Sequence, residues 1–320
     1  MTVAQVSGRD PAPGGGGATA LLAILLMTLA AGGCGSSNSG GAAGQLTYSD
    51  QVQAAAADPE PESRARKLTA IGFEQGQARD LGGARSTLAD AAKAVRAIED
   101  PAERIRAAAR LARAYLAINE TLELRKLITT AGQEVESVTD AESKADVLVR
   151  LANSCTAAKL NDEAAKYLKQ AEAAAATVTD PVGQIGIDSR IATSYHTLGK
   201  PDDFKRLLDA ATTKAGELDD ARRKAEALAD VAATQLTAGD TAGATATLEV
   251  AHQAALAAED DYKRAHALTA IADKLAATKH GPQARPLFVE AQQLAEKVTD
   301  AGLRDEVLSK IRRGLAQVGG

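Results

Sequence analysis

The sequence predicts an all-α chain built as a solenoid of helical hairpins, and three observations carry that prediction. Asp100, Asp140, Asp180, Asp220, Asp260 and Asp300 recur at a constant spacing, with Glu60 opening the same frame one unit earlier. Each interval holds two apolar stripes with helical three-and-four spacing, separated by a break rich in glycine, asparagine or proline. Apolar residues make up 45% of the chain but aromatics only 2%, so the apolar content is mostly alanine and aliphatic side chains, a mixture suited to closely packed helices. Chain length is a poor guide to domain number in such an array, because a repeated unit has no single core.

The repeat is most specific at a few columns. Eleven residues after each anchor stands an aliphatic residue: Ile71, Leu111, Leu151, Ile191, Val231, Ile271 and Ile311. The next position is small in Gly72, Ala112, Ala152, Ala192, Ala232 and Ala272, and becomes Arg312 in the last unit. In the second half of each unit Ala91, Ala131, Ala171, Ala211, Ala251 and Ala291 follow Leu88, Ile128, Leu168, Leu208, Leu248 and Phe288 by three residues. The anchor aspartates suit helix N-caps, since a short carboxylate accepts from the orphan amides of the first turn. Pro101 suits the first helical position, and Glu103 is expected to complete a capping box with Asp100. Ser49 and Asp50 are expected to start a short capping helix before the array. At the far end Asp305 and Arg312 replace internal apolar or small residues, which predicts a solvated closing helix.

The intervals within each unit resemble the tetratricopeptide repeat: Ile191-Ala192, Tyr195, Phe204, Leu208 and Ala211 in one unit, and Leu268, Ile271-Ala272, Leu275, Ala284, Phe288 and Ala291 in another. The resemblance covers positions 60–320. It departs from the family in having a longer unit, alanine for the first helix's glycine, and aliphatics for most aromatics. It implies a right-handed α-solenoid of about six and a half hairpins, with the first helix of each unit lining a concave surface. Transferred residue by residue, that surface carries Arg66, Arg106 and Arg113 at one end and Asp146, Asn153, Ser189 and His196 in the middle. Glu226, His266, Asp273, Glu306 and Arg313 follow at the other end. The expected groove is basic at the start and mixed to acidic further on, able to receive a peptide of complementary polarity, although the same residues also suit plain solvated helix faces. In the peptide-carboxylate clamp of some family members a lysine and an asparagine share the first helix; Asn153 fits the asparagine, but Val149 stands at the lysine position.

The N-terminus reads differently. Ala18 to Ala31 is an uncharged, apolar stretch of secretory-signal length, ending in Ala31-Gly32-Gly33-Cys34. This resembles the lipobox of bacterial lipoproteins, which implies cleavage before Cys34 and lipidation of its thiol; a plain cleaved signal or an uncleaved anchor is the alternative. The expected organisation is a signal peptide at 1–33, a lipidated cysteine and Gly/Ser/Asn tether at 34–57, and the solenoid at 58–320. About 20 such tether residues span roughly 25 Å. The implied address is the bacterial envelope, at the outer membrane if the host has two, since Gly35 and not aspartate follows the cysteine.

Several chemistries find no support in the sequence. A net charge of −5 offers no basic field for nucleic acid. His196, His252, His266 and His280 lack zinc-site spacing. Asp219-Asp220 and Asp260-Asp261 lack a calcium-loop frame and are read as caps. Cys155 is expected to be a small buried side chain. The sequence therefore predicts a non-catalytic, cofactor-free, membrane-tethered scaffold or adaptor with a protein or peptide partner. The alternatives are an envelope enzyme or glycan-processing factor on a helical superhelix, which would need a pocket holding a carboxyl of raised pKa, and a structural spacer.

Overall fold

The computed structural model describes residues 46–319. The signal stretch and Cys34 lie outside these residues. A short helix α1 (Tyr48–Ala56) precedes six hairpins: α2 (Pro61–Gln77) with α3 (Leu81–Arg96), α4 (Pro101–Ala117) with α5 (Thr121–Glu134), and α6 (Ala141–Ala157) with α7 (Asn161–Ala175). They continue as α8 (Pro181–Thr197) with α9 (Pro201–Gly216), α10 (Ala221–Thr237) with α11 (Thr241–Leu256), and α12 (Asp261–Ala277) with α13 (Gly281–Ala295). An unpaired α14 (Ala301–Val318) closes the array, and a short 3-10 turn at Val135–Ser137 extends α5. The fold is an all-α solenoid of tetratricopeptide-like hairpins. None of the described helices is long and apolar enough to cross a membrane.

Each first helix starts on an N-cap in extended conformation. The carboxylates of Asp100, Asp140, Asp180, Asp220, Asp260 and Asp300 accept from the backbone amide three residues on, at 2.7–3.0 Å. Glu60 caps with its backbone alone; the preceding Asp58 instead accepts from the Glu60 amide at 3.0 Å and from the Ser63 hydroxyl at 2.7 Å. Two expectations at the caps need correction. Glu103 does not complete a capping box, because its carboxylate is taken by the Arg106 guanidinium on the next turn. Helix α1 does not start on Ser49-Asp50: Thr47 is its N-cap, and a reciprocal box joins the Thr47 hydroxyl to the Asp50 amide and the Thr47 amide to the Asp50 carboxylate.

The first helices of the six hairpins also end alike. Arg79, Asn119, Lys159, Gly199, Gly239 and Lys279 have φ between 60° and 83°. The amide after each reaches back five residues at 2.8–2.9 Å, from Asp80 to the Gln75 carbonyl and likewise through to His280 and Leu275. This is the Schellman closure, which needs a left-handed residue whatever the side chain. An L-residue there costs roughly 1–2 kcal/mol, and glycine's extra unfolded-state freedom returns roughly 0.5–1 kcal/mol of that. Lys159→Gly is therefore expected to stabilise the protein by about 0.5–1 kcal/mol in urea denaturation. An unchanged or lowered midpoint would show that the lysine side chain has a stabilising role of its own.

Successive first helices pack directly on one another, from α2 on α4 through to α12 on α14, whereas each second helix packs on its own partner and on the next first helix. Small buried residues permit that close approach: Ala107, Ala108 and Ala109 in α4, Ala227 and Ala229 in α10, Ala265 and Ala267 in α12. The first helices thus form the more closely spaced layer, and theirs is the face on which the tetratricopeptide resemblance places a groove. The apolar columns fill the space between layers, with Leu111, Leu151, Ile191, Val231, Ile271 and Ile311 fully buried. In the closing helix, Val307 and Ile311 face α12 and α13 while Asp305 and Arg312 lie exposed.

Candidate interaction groove

Three columns of the first helices, at six, ten and thirteen residues past each anchor, lie on the first-helix face where the groove is expected. From α2 to α8 they read Arg66, Ala70, Phe73; Arg106, Arg110, Arg113; Asp146, Arg150, Asn153; and Gly186, Arg190, Thr193. From α10 to α14 they read Glu226, Asp230, Ala233; His266, Ala270, Asp273; and Glu306, Lys310, Arg313. Six arginines thus stand in the first four units against one carboxylate, Asp146.

Asp146 is 7% exposed and draws arginines from three helices. Its Oδ2 accepts from Arg106 Nε of α4 and from Arg150 Nε of α6, both at 2.9 Å, and its Oδ1 accepts from Arg190 of α8. Burial alone would raise its pKa; the bonds from Arg150 and Arg106 and the nearby Arg190 outweigh it and hold the carboxyl below its usual value. Two of the guanidiniums stay accessible, with the Arg150 and Arg190 side chains 46% and 47% exposed, while Arg106 is held more deeply. Arg66, Arg110 and Arg113 make no ion pair or hydrogen bond with the described residues.

The other half is wired differently. Glu226 accepts from Arg222 at 2.7 Å and stands 3.2 Å from His266 Nδ1. Burial raises this carboxyl, but His266 and Arg222 bring it below its usual value. Asp230 pairs with Lys274, and Glu306 with Lys310 at 2.7 Å, whose ammonium also stands 3.3 Å from His266 Nε2. The acidic end of the groove is thus largely neutralised from within, a feature that charge columns alone do not reveal. Asp273 is the exception. Burial pushes its carboxyl up despite Arg313, His266, Lys274 and Lys310 nearby, and it lines a depression of about 460 Å³ with Lys310, Arg313 and Gln317. Asp273 is thus a carboxyl of raised pKa at a depression, the feature the enzyme alternative requires, with no second carboxylate in that lining.

The remaining sequence-selected residues are dispersed. Asn153 is half-buried on α6, and Ser189 is buried, its hydroxyl unpartnered, beside a depression of about 470 Å³ lined by Gly186, Arg190, Asp230 and Lys274. His196 turns toward the second helix of its hairpin, 5.3 Å from the Phe204 ring. His252 meets Glu290 at 2.8 Å on the outer layer, and His280 is the N-cap of α13. Cys155 is fully buried, and burial pushes its thiol up to about 12. Arg110, Arg150 and Arg190 are absent from the sequence-selected set. They share a column ten residues past the anchor, so the period that places Arg106 could also have found them.

No protein-family model and no curated protein matches the chain. Among solved structures, Ton1535 from Thermococcus onnurineus NA1 aligns with 81% of this chain and 94% of its own, at 16% identity and a TM-score of 0.42. The nearly identical TPR-like repeats of a Podosopora anserina kinesin light chain align with 62% of this chain and 97% of their own, at 18% identity and a TM-score of 0.40. BtubC (BKLC) from P. vanneervenii aligns with 67% and 92%, at 14% identity and a TM-score of 0.40. Likenesses this distant carry nothing about the function of the groove.

Proposed function

We propose that this chain is a non-catalytic interaction scaffold of the bacterial envelope, tethered by a lipid on Cys34, that receives a protein or peptide on its first-helix face. The observation that carries the reading is the uneven placement of charge: six arginines gather over α2 to α8, and three of them have no partner within the described residues. A face that merely solvates helices gains nothing from leaving so many like charges together, because like charges on neighbouring turns repel. The tether rests on the lipobox resemblance, and its test is direct: Cys34→Ser should move the protein from the membrane fraction to the soluble one.

For the groove, Arg66, Arg110 and Arg113 are the residues to reverse, since their guanidiniums hold nothing in the fold. The triple change to glutamate is expected to abolish capture of the envelope partner in cross-linking and mass spectrometry while leaving far-UV circular dichroism unchanged. Undiminished capture with intact helices would remove the groove from the function.

A further inference from the structure

The two halves of the groove differ in what they leave for a ligand. From α10 to α14, Glu226, Asp230 and Glu306 already hold cations of their own or of neighbouring helices. From α2 to α8 the only column carboxylate, Asp146, orients three guanidiniums; Arg106 is further taken up by Glu103 and Ser143, but Arg150 and Arg190 keep N–H donors to spare, because each guanidinium carries five. Beside the free arginines stands Phe73, in the same column as Arg113 and one unit earlier. Phe204 and Phe288 are buried, but Phe73 is 38% exposed and lies outside the packed core. An aromatic ring left facing solvent at the edge of an arginine-lined surface is an apolar anchor point.

We infer that α2, α4, α6 and α8 together form a seat for a short acidic polypeptide segment carrying a large apolar side chain at the end that meets Phe73. The inference rests on the scaffold reading and specifies the partner. Adjacent helix axes lie roughly 8–10 Å apart, so four first helices span about 30 Å. At about 3.3 Å per residue an extended segment of about nine residues covers that span. Carboxylates are the matching groups because guanidinium forks bind them in bidentate fashion. A longer polyanion, such as a nucleic acid, finds little more to hold: beyond α8 Lys274 and Lys310 are already paired with Asp230 and Glu306, in a chain whose net charge is −5. The segment therefore needs no basic continuation, since Glu226, Asp230 and Glu306 of the second half are paired within the protein.

The test uses the full chain in detergent and a labelled synthetic peptide of one phenylalanine followed by about nine alternating glutamates and aspartates, with binding read by fluorescence anisotropy. Binding is expected to weaken by at least about tenfold in the double variant Arg110→Glu, Arg113→Glu and to fall as salt rises. Phe73→Ala should weaken it about fivefold and remove the preference for this peptide over one whose phenylalanine is replaced by alanine. A basic block added to the acidic end should give no tighter binding. A single-stranded oligonucleotide of equal charge that binds as tightly would overturn the proposal, showing a sink for polyanions in general. So would unchanged peptide affinity in the arginine variant. If no peptide binds while the triple reversal still abolishes partner capture, the acidic segment is wrong and the scaffold reading stands; if capture also survives, both fall.

Discussion

Phe288→Ala is expected to destabilise the C-terminal units by about 3–5 kcal/mol, the usual cost of emptying an aromatic-sized site in a packed interior. The ring is fully buried, and it fills the gap between α13 and α14 so closely that a Cβ added at Gly314 would fall 2.2 Å from its Cζ. Gly314 offers no side chain to fill the gap, and Ala284 and Ala291 on its own helix are too short to reach across it. The loss should stay local, because each unit in a solenoid contacts only its neighbours and stability is a sum of unit and interface contributions. Hydrogen exchange should therefore show protection lost across α12 to α14 while α2 to α5 keep theirs. A uniform loss along the array would show that the units unfold as one cooperative body. Gly314→Ala approaches the same contact from the other side and should act in the same direction.

The second large effect is expected at Asp146. Its carboxyl is held below its usual pKa in the folded protein, so its contribution to stability is fully present above the unfolded value of about 4 and is lost as pH falls through the lower folded value. Asp146→Asn removes the charge that gathers Arg106, Arg150 and Arg190. Hydrogen bonds to a charged group are worth about 1.5–3 kcal/mol each, but water can still solvate the half-exposed Arg150 and Arg190, and Arg106 keeps Glu103, so a total near 2 kcal/mol is the expected loss at neutral pH. Urea denaturation of the two proteins should converge below the folded pKa, where the native carboxyl is itself protonated. A gap that persists in strong acid would assign the effect to packing and not to charge.

How much of this was legible in the residues differs from feature to feature. The helices and the six anchor-aspartate caps were, because a carboxylate at the N-cap and an aliphatic eleven residues on are local properties of the chain; the Glu103 box and the start of α1 were not, because each turned on a competing side-chain partner. The left-handed turns were only half legible: Asn119, Gly199 and Gly239 signal them, but Arg79, Lys159 and Lys279 occupy the same conformation because the Schellman bond imposes it. The groove was legible as columns and not as pairs. Arg106 and Asp146 stand at equivalent positions one unit apart, so their contact follows from stacking. That Arg190 reaches back to the same carboxylate, two first helices away in sequence from Arg106, depends on how far the helices approach. His196 shows the converse. Its column suggests the groove, and its ring, though exposed, stands beside Phe204 of the second helix instead.

The packing of each first helix on the next also bears on how the chain comes to be folded at all. Almost every tertiary contact joins residues within about one unit of each other in sequence, so closing the array requires no large loop to form ahead of its reward. A hairpin completed early, such as α2 with α3, already presents the surface on which α4 will settle. Growth can follow the direction of synthesis, each new pair of helices templated by the last, with α14 settling on the surface that α12 and α13 present.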